Sequence, residues 1–182
     1  MLNNQHPNKT IVYAGSDVFS VQPLKKVLSL KYKKVTVLTR PPKRQGRGMK
    51  EKNNPLAEFA LHNNLETLMP ESPNDNNFIA KLEEKKYDLL ISCAYGRIMS
   101  EKLFGCFHMG NINIHPSLLP RWRGPSPIES SILEGDKITG VSLMQMTEEL
   151  DAGPVYEQRS INMNGENTKI LSEKLTLLAG DM

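Results

Sequence analysis

Cysteine is almost absent, since 182 residues carry only Cys93 and Cys106. Two thiols with no paired-ligand spacing exclude a disulfide framework and a thiolate metal centre, so both read as reduced, mostly buried side chains and no metal is expected. No apolar run approaches the ~20 residues of a membrane helix, and no membrane partner is expected. Glycine is missing where nucleotide folds need it. The turn after the first apolar run reads Ala14-Gly15-Ser16-Asp17-Val18, whose single glycine excludes the G-x-G-x-x-G dinucleotide fingerprint, and no Walker A pattern occurs. Internal repeats are absent too. Residues 1–9, MLNNQHPNK, lack the arginines of a transit peptide, and no secretory signal is expected.

Acidic residues are scarce only in the first third. Residues 1–55 hold 12 Lys and Arg against 2 Asp and Glu, a net of +10, whereas residues 56–182 carry a net of −7. The centre of the basic part is the stretch 40–52, with Arg40, Lys43, Arg44, Arg47, Lys50 and Lys52 among Pro41, Pro42, Gly46 and Gly48. Its composition predicts an unpacked loop, either a polyanion-facing surface or a solvated mobile segment.

Hydrophobic periodicity alternates between the two regular structures. Strands are predicted over 10–14, 34–39, 65–68, 88–92, 111–115, 141–146 and 155–161. Helices are predicted over 18–30, 55–63, 74–86, 99–104, 125–134 and 167–178. That order predicts an α/β chain of about one domain, a Rossmann-like, doubly wound and mostly parallel sheet.

The candidate site lies where one strand runs out. In Asn111-Ile112-Asn113-Ile114-His115-Pro116 the alternation puts Asn113 and His115 on one face and Ile112 and Ile114 on the other, and Pro116 ends the ladder. An amide beside an imidazole, with a carboxylate from another loop such as Asp151, supplies an oxyanion donor, a proton carrier and an orienter for the ring. This set suits acyl transfer without a covalent intermediate. Taken alone, the same pair also fits a loop-capping amide and a hydrogen-bonded structural histidine.

The run from Asn113 to Gln158, with Asn113-Ile114-His115-Pro116-Ser117-Leu118-Leu119-Pro120 and Leu150-Asp151-Ala152-Gly153-Pro154, resembles the 10-formyltetrahydrofolate-dependent formyltransferases. The resemblance extends to IVYAGSDVFS, RPPKRQGRG, LLISCAYGRIM and NTKILSEKLTLLAG, and so to nearly the whole chain. Within the family it is greatest to the methionyl-tRNA group, because Ser16-Asp17 stands where the glycinamide ribonucleotide group has a glycine-rich phosphate cradle. Arg121-Trp122-Arg123-Gly124 follows the same group.

The resemblance implies Asn113, His115 and Asp151 as catalytic residues, with 10-formyltetrahydrofolate as co-substrate. It implies a folate pocket from Tyr95, Gly96, Arg97, Ile98 and Met99, from Ser117, Leu118, Leu119 and Pro120, and from Thr147, Glu148, Glu149 and Leu150. Ile98 and Met99 are also ordinary core candidates. For an initiator methionyl-tRNA partner it implies Arg40, Lys43, Arg44, Arg47, Lys50, Arg121 and Arg123, with Trp122 as a contact or a packed anchor. The alternatives are formylation of a small amine, such as glycinamide ribonucleotide or an amino sugar, and an inactive folate- or RNA-binding fragment. The family's β-barrel domain, similar to an OB-fold, is not found before Met182, and a truncated catalytic domain acting as a monomer is expected. The compartment implied is the mitochondrial matrix in a eukaryote, weakly favoured by composition, or otherwise the bacterial cytoplasm.

Overall fold

The computed structural model describes residues 7–45 and 49–182, so Gly46, Arg47 and Gly48 lie outside the described residues. The chain runs β1 (Thr10–Gly15), a 3-10 turn (Val18–Ser20), α1 (Val21–Ser29), β2 (Lys34–Leu38), β3 (Lys43–Gln45), β4 (Lys50–Lys52), α2 (Pro55–His62) and β5 (Thr67–Leu68). It continues through α3 (Asn76–Lys85), β6 (Leu89–Cys93), α4 (Glu101–Phe104), β7 (Asn111–His115), α5 (Pro127–Leu133), β8 (Ile138–Met144), β9 (Val155–Asn162) and α6 (Thr168–Gly180).

Seven strands form one sheet in the order β5-β2-β1-β6-β7-β8-β9. The first five are parallel, and β8 and β9 are antiparallel additions. Both faces are covered. Alternation along β1 sends Ile11 and Tyr13 into a core with Leu24 and Val27 of α1, Leu56 and Ala60 of α2, and Leu171 and Leu175 of α6. Val12 and Ala14 point to the other face, where Ile79 and Leu82 of α3 and Leu103 of α4 pack. The expected doubly wound α/β fold is therefore present, with the strand order reversing between β1 and β6.

Several helices begin at side chains that accept an otherwise orphaned N–H. Asn54 accepts from Ala57, Asp75 from Phe78 and Asn167 from Ile170. The predicted helix over 18–30 is divided, because Asp17 caps a 3-10 turn before α1 begins. The predicted strand over 141–146 instead starts at Ile138, which pairs with Asn162, and ends at Met144. The stretch 40–52 is not wholly loop either. Lys43–Gln45 and Lys50–Lys52 form an antiparallel ribbon in which Lys43 faces Lys52 and Arg44 faces Glu51. Backbone pairing needs no core, so a basic, apolar-poor segment forms it without packing.

Glu66 ties the open edge of the sheet to a helix, receiving both Lys34 and Lys85. Hydrogen bonds from these lysines hold its carboxyl down from an ordinary 4.5 to about 2. A depressed carboxylate stabilises the fold above its unfolded value, and that contribution is lost as pH falls through the folded one. The Tm difference between wild type and Glu66→Gln should therefore shrink as pH drops from about 4.5 to about 2. A gap that stays constant in pH-resolved thermal melts would refute the assignment.

Candidate active site

A crevice lies beyond the carboxyl ends of β6 and β7, the end of the sheet at which open α/β folds hold ligands. It is a cleft of about 580 Å³. Its walls are apolar, from Tyr95, Ile98, Met99, Phe104, Met144, Met146 and Leu150, and its polar end is Asn113, His115 and Asp151. The three side chains singled out in the sequence are thus together. β7 supplies two of them, and the connection between β8 and β9 supplies the third.

Asp151 is the hub. One carboxylate oxygen accepts the Gly124 N–H at 2.9 Å, and the other takes the Asn113 amide at 3.4 Å. His115 Nδ1 stands 3.5 Å from Oδ2, with the two side chains only 6% and 9% exposed. On the far side of the ring, Nε2 lies 2.9 Å from the Trp122 carbonyl oxygen. A carbonyl only accepts, so Nε2 carries a hydrogen, and Nδ1 is the nitrogen that faces Asp151. A proton arriving at Nδ1 would complete a charge-assisted pair. The Asn113 amide has a second N–H, for which no protein acceptor is found among the described residues.

The cleft lining is mostly apolar. Tyr95, which contributes to the lining, keeps its hydroxyl buried with no hydrogen-bond partner among the described residues. Burial pushes this phenol up to about 12, against the lowering effect of Arg97 and Arg40. The Cys93 thiol, fully buried, is likewise pushed to about 12, which removes it as a thiolate nucleophile. Among the described residues no group of three His, Cys, Asp or Glu is placed to hold a metal.

Of the residues expected to contact folate, Tyr95, Gly96, Arg97, Ile98, Met99, Thr147, Glu148 and Leu150 line the cleft. Ile98 is 80% exposed, so the core alternative for it fails, whereas Met99 is buried. Ser117, Leu118, Leu119 and Pro120 do not line it. They turn behind β8, where Ser142 Oγ donates to the Ser117 carbonyl, the Leu119 N–H donates to Ser142 Oγ, and Gln158 donates to the Leu119 carbonyl. Glu149 points outward and faces Arg123 at 3.7 Å.

The expected RNA-contacting residues divide as well. Arg40 lies over the cleft rim, since a β-carbon built on Gly96 would be 3.5 Å from its Nη1. Lys43, Arg44 and Lys50 sit on the basic ribbon that follows. Arg121 is committed elsewhere, bidentate to Asp136 and 4.2 Å from the Trp122 ring. Trp122 is an anchor, its indole N–H donating to Asp136 at 2.7 Å. Residues that the sequence reading missed are Gly124, Met144 and Met146. The two methionines are spaced at a strand's period of two, and Met144 pairs with Asn113, which a β7–β8 alignment would have revealed.

Fold and site together define the class of open-sheet α/β proteins whose ligand cleft opens beyond the carboxyl ends of the parallel strands. Within that class the profile of the formyl transferase family matches residues 11–176, and the chain belongs to that family. Curated relatives include methionyl-tRNA formyltransferases of Buchnera aphidicola (39% identical over 166 residues, 91% of this chain and 53% of the relative) and Coxiella burnetii (37% over 173 residues, 94% and 55%). That of a Wolbachia strain is 40% identical over 173 residues, 94% of this chain and 58% of the relative. The chain thus spans about half the length of the curated relatives it matches. Among solved structures, phosphoribosylglycinamide formyltransferase from Bacillus halodurans superposes with a TM-score of 0.75 at 20% identity, covering 96% of this chain and 91% of that one. A sugar N-formyltransferase from Shewanella gives 0.69 at 19%, covering 95% and 65%. At such identities these neighbours bear on the fold alone.

Gly153 keeps the Asp151 loop closed. A β-carbon there would stand 2.1 Å from the Gln145 carbonyl oxygen, across the hairpin base where the Gln145 N–H donates to Pro154. Gly153→Ala is expected to destabilise the fold by about 1–3 kcal/mol through overpacking. Urea denaturation measures this, and an unchanged midpoint would contradict the close approach.

Proposed function

We propose that residues 1–182 are a catalytic domain that transfers the formyl group of 10-formyltetrahydrofolate to the free amine of methionyl initiator tRNA, for translation initiation. The observation that carries this reading is the Asn113–His115–Asp151 constellation at the polar end of an apolar cleft, with a basic ribbon leaving its rim. The names of the curated relatives support the acceptor. All three are bacterial, which favours a bacterial cytoplasm over the mitochondrial matrix as the setting.

The folate, when bound, supplies an activated formyl carbon on its N10. Tyr95 to Met99, with Thr147, Glu148 and Leu150, would enclose its ring system, placing the carbon at the polar end. Asn113 donates its second amide hydrogen to the formyl oxygen as charge develops there during attack by the amine. His115 takes the amine's proton at Nδ1, where Asp151 stabilises the imidazolium, and returns it toward N10 as the carbon–N10 bond breaks. The amine gains the formyl group and N10 gains the proton.

The first turn argues against a nucleotide acceptor such as glycinamide ribonucleotide. Asp17 Oδ1 already accepts the Phe19 N–H at 2.9 Å, so the chain's own carboxylate takes a donor that a phosphate would use. Lys43, Arg44, Lys50 and Lys52 offer an alternative surface for a polyanion.

Formyl product on methionyl-tRNA but not on glycinamide ribonucleotide is the expected result for the purified chain. Asn113→Ala is expected to lose roughly 10²- to 10³-fold in kcat. Product on the nucleotide alone, no product on either acceptor from folded protein, or full turnover by the Asn113 variant would each refute the scheme. Several cation–phosphate contacts also predict a loss of tRNA affinity of more than ~10-fold between about 50 and 200 mM salt, measured by filter binding. Salt-independent affinity would exclude the basic ribbon as the RNA surface.

A further inference from the structure

Asp136 touches neither the cleft nor the three residues at its polar end, yet the structure gives it three hydrogen bonds with the loop that holds them. It lies three residues past the end of α5, its side chain 14% exposed. Its carboxylate accepts Arg121 through both Nε (3.1 Å) and Nη2 (2.7 Å), and the Trp122 indole N–H at 2.7 Å. Those bonds hold its carboxyl below the usual carboxylate range. A negative charge beside the C-terminal end of a helix is unfavourable, so α5 gains nothing from this aspartate. Its partners all lie in the Arg121–Trp122 segment.

That segment is the part of the site that works through its backbone. Trp122 has φ +61, a left-handed conformation that a bulky residue rarely adopts. This backbone lets one residue face two ways, with the indole on Asp136 and the carbonyl oxygen 2.9 Å from His115 Nε2. Two residues on, the Gly124 N–H meets Asp151 at 2.9 Å. Arg121 stacks 4.2 Å above the indole, so the guanidinium, the ring and the carboxylate form one closed unit. Both backbone groups that orient His115 and Asp151 are therefore suspended from it.

We propose that Asp136 is a positioning residue: by clamping Arg121 and Trp122 it fixes the Trp122 carbonyl, and through it the tautomer and orientation of the His115 ring. For its kinetic consequence the proposal rests on the formyl-transfer reading, whereas the clamp itself is independent of that reading. A strained turn persists only where its surroundings over-determine it, and here Asp136 supplies that constraint. Because Asp136 is outside the cleft, ligand affinity should be insensitive to it, and the effect should fall on turnover.

The test uses Asp136→Ala, Asp136→Asn and Trp122→Phe in the full chain. Trp122 is the only tryptophan, so its fluorescence reports the clamp directly. The His115 Nε2–H resonance in nitrogen-edited imidazole NMR reports the carbonyl bond. In Asp136→Ala the expected result is a red-shifted, more quenchable Trp122 emission and loss of the exchange-protected Nε2–H signal. The kcat for formyl transfer should drop roughly 10- to 100-fold, with folate Kd within about twofold of wild type. Asp136→Asn, which still accepts from the indole, should retain part of both signals. Trp122→Phe, which keeps the carbonyl and loses the indole donor, should weaken the Nε2–H signal. If the alanine variant does not fold, the asparagine variant decides the matter by both spectra and Trp122→Phe, which has no tryptophan left, by the Nε2–H signal alone. A wild-type Nε2–H signal in folded variants overturns the proposal whatever their activity. Coupled spectral changes in a protein that is inert as wild type uphold the clamp and refute the formyl-transfer reading instead.

Discussion

A carboxylate withdrawn from water must be met by donors, and the site is built around how Asp151 meets that demand. Its side chain is 9% exposed, and the groups that face it come from separate segments: Asn113 and His115 from β7, and the Gly124 N–H from the loop that follows. Any slip of one segment leaves a buried charge short of a partner, at a cost of several kcal/mol. The same requirement that stabilises the charge therefore sets the amide and the imidazole relative to each other. Stability and pre-organisation of the site are one constraint here.

Topology delivers those segments to one place. The parallel strands all end on the same side, so β6 and β7 release their chains into one crevice. Two antiparallel strands then extend the sheet, and the hairpin between β8 and β9 carries residues 145–154 back over the ends of β6 and β7. An all-parallel continuation would have returned through a helix on the sheet face, away from the cleft. The antiparallel edge is what brings Asp151 within reach of His115.

What the sequence made legible follows from what a pattern encodes. Period-two alternation around Asn113 and His115 reports side-chain direction, and the structure places both as that pattern required. Asp151 has no such pattern; its place came from motif resemblance. Gly124 acts through a backbone N–H, which every residue but proline carries, so no residue type announces it. Met144 and Met146 carry no reactive group, and their place in the cleft shows only once β8 is registered against β7. Ser117 to Pro120 carried a motif yet turn behind β8, because polar backbone leaving a strand end was satisfied by Ser142 and Gln158 instead of being left for a ligand. The ribbon of Lys43–Gln45 and Lys50–Lys52 was hidden by composition, since strand pairing with no buried face leaves no hydrophobic period to read.

Charge placement completes the account of how acceptors are distinguished. At the first turn the chain puts Asp17, a carboxylate that caps its own 3-10 turn and repels phosphate at close range. The cations are instead grouped on a ribbon in which Lys43 lies directly opposite Lys52, a pairing that is unfavourable in the free protein. A polyanion relieves that repulsion, so part of the cost of assembling the ribbon is recovered only when one binds. On the proposed reading, discrimination between a tRNA and a mononucleotide then needs no difference at Asn113, His115 or Asp151. It resides in which end of the acceptor carries its phosphates and in how many of them a ribbon beside the cleft can reach.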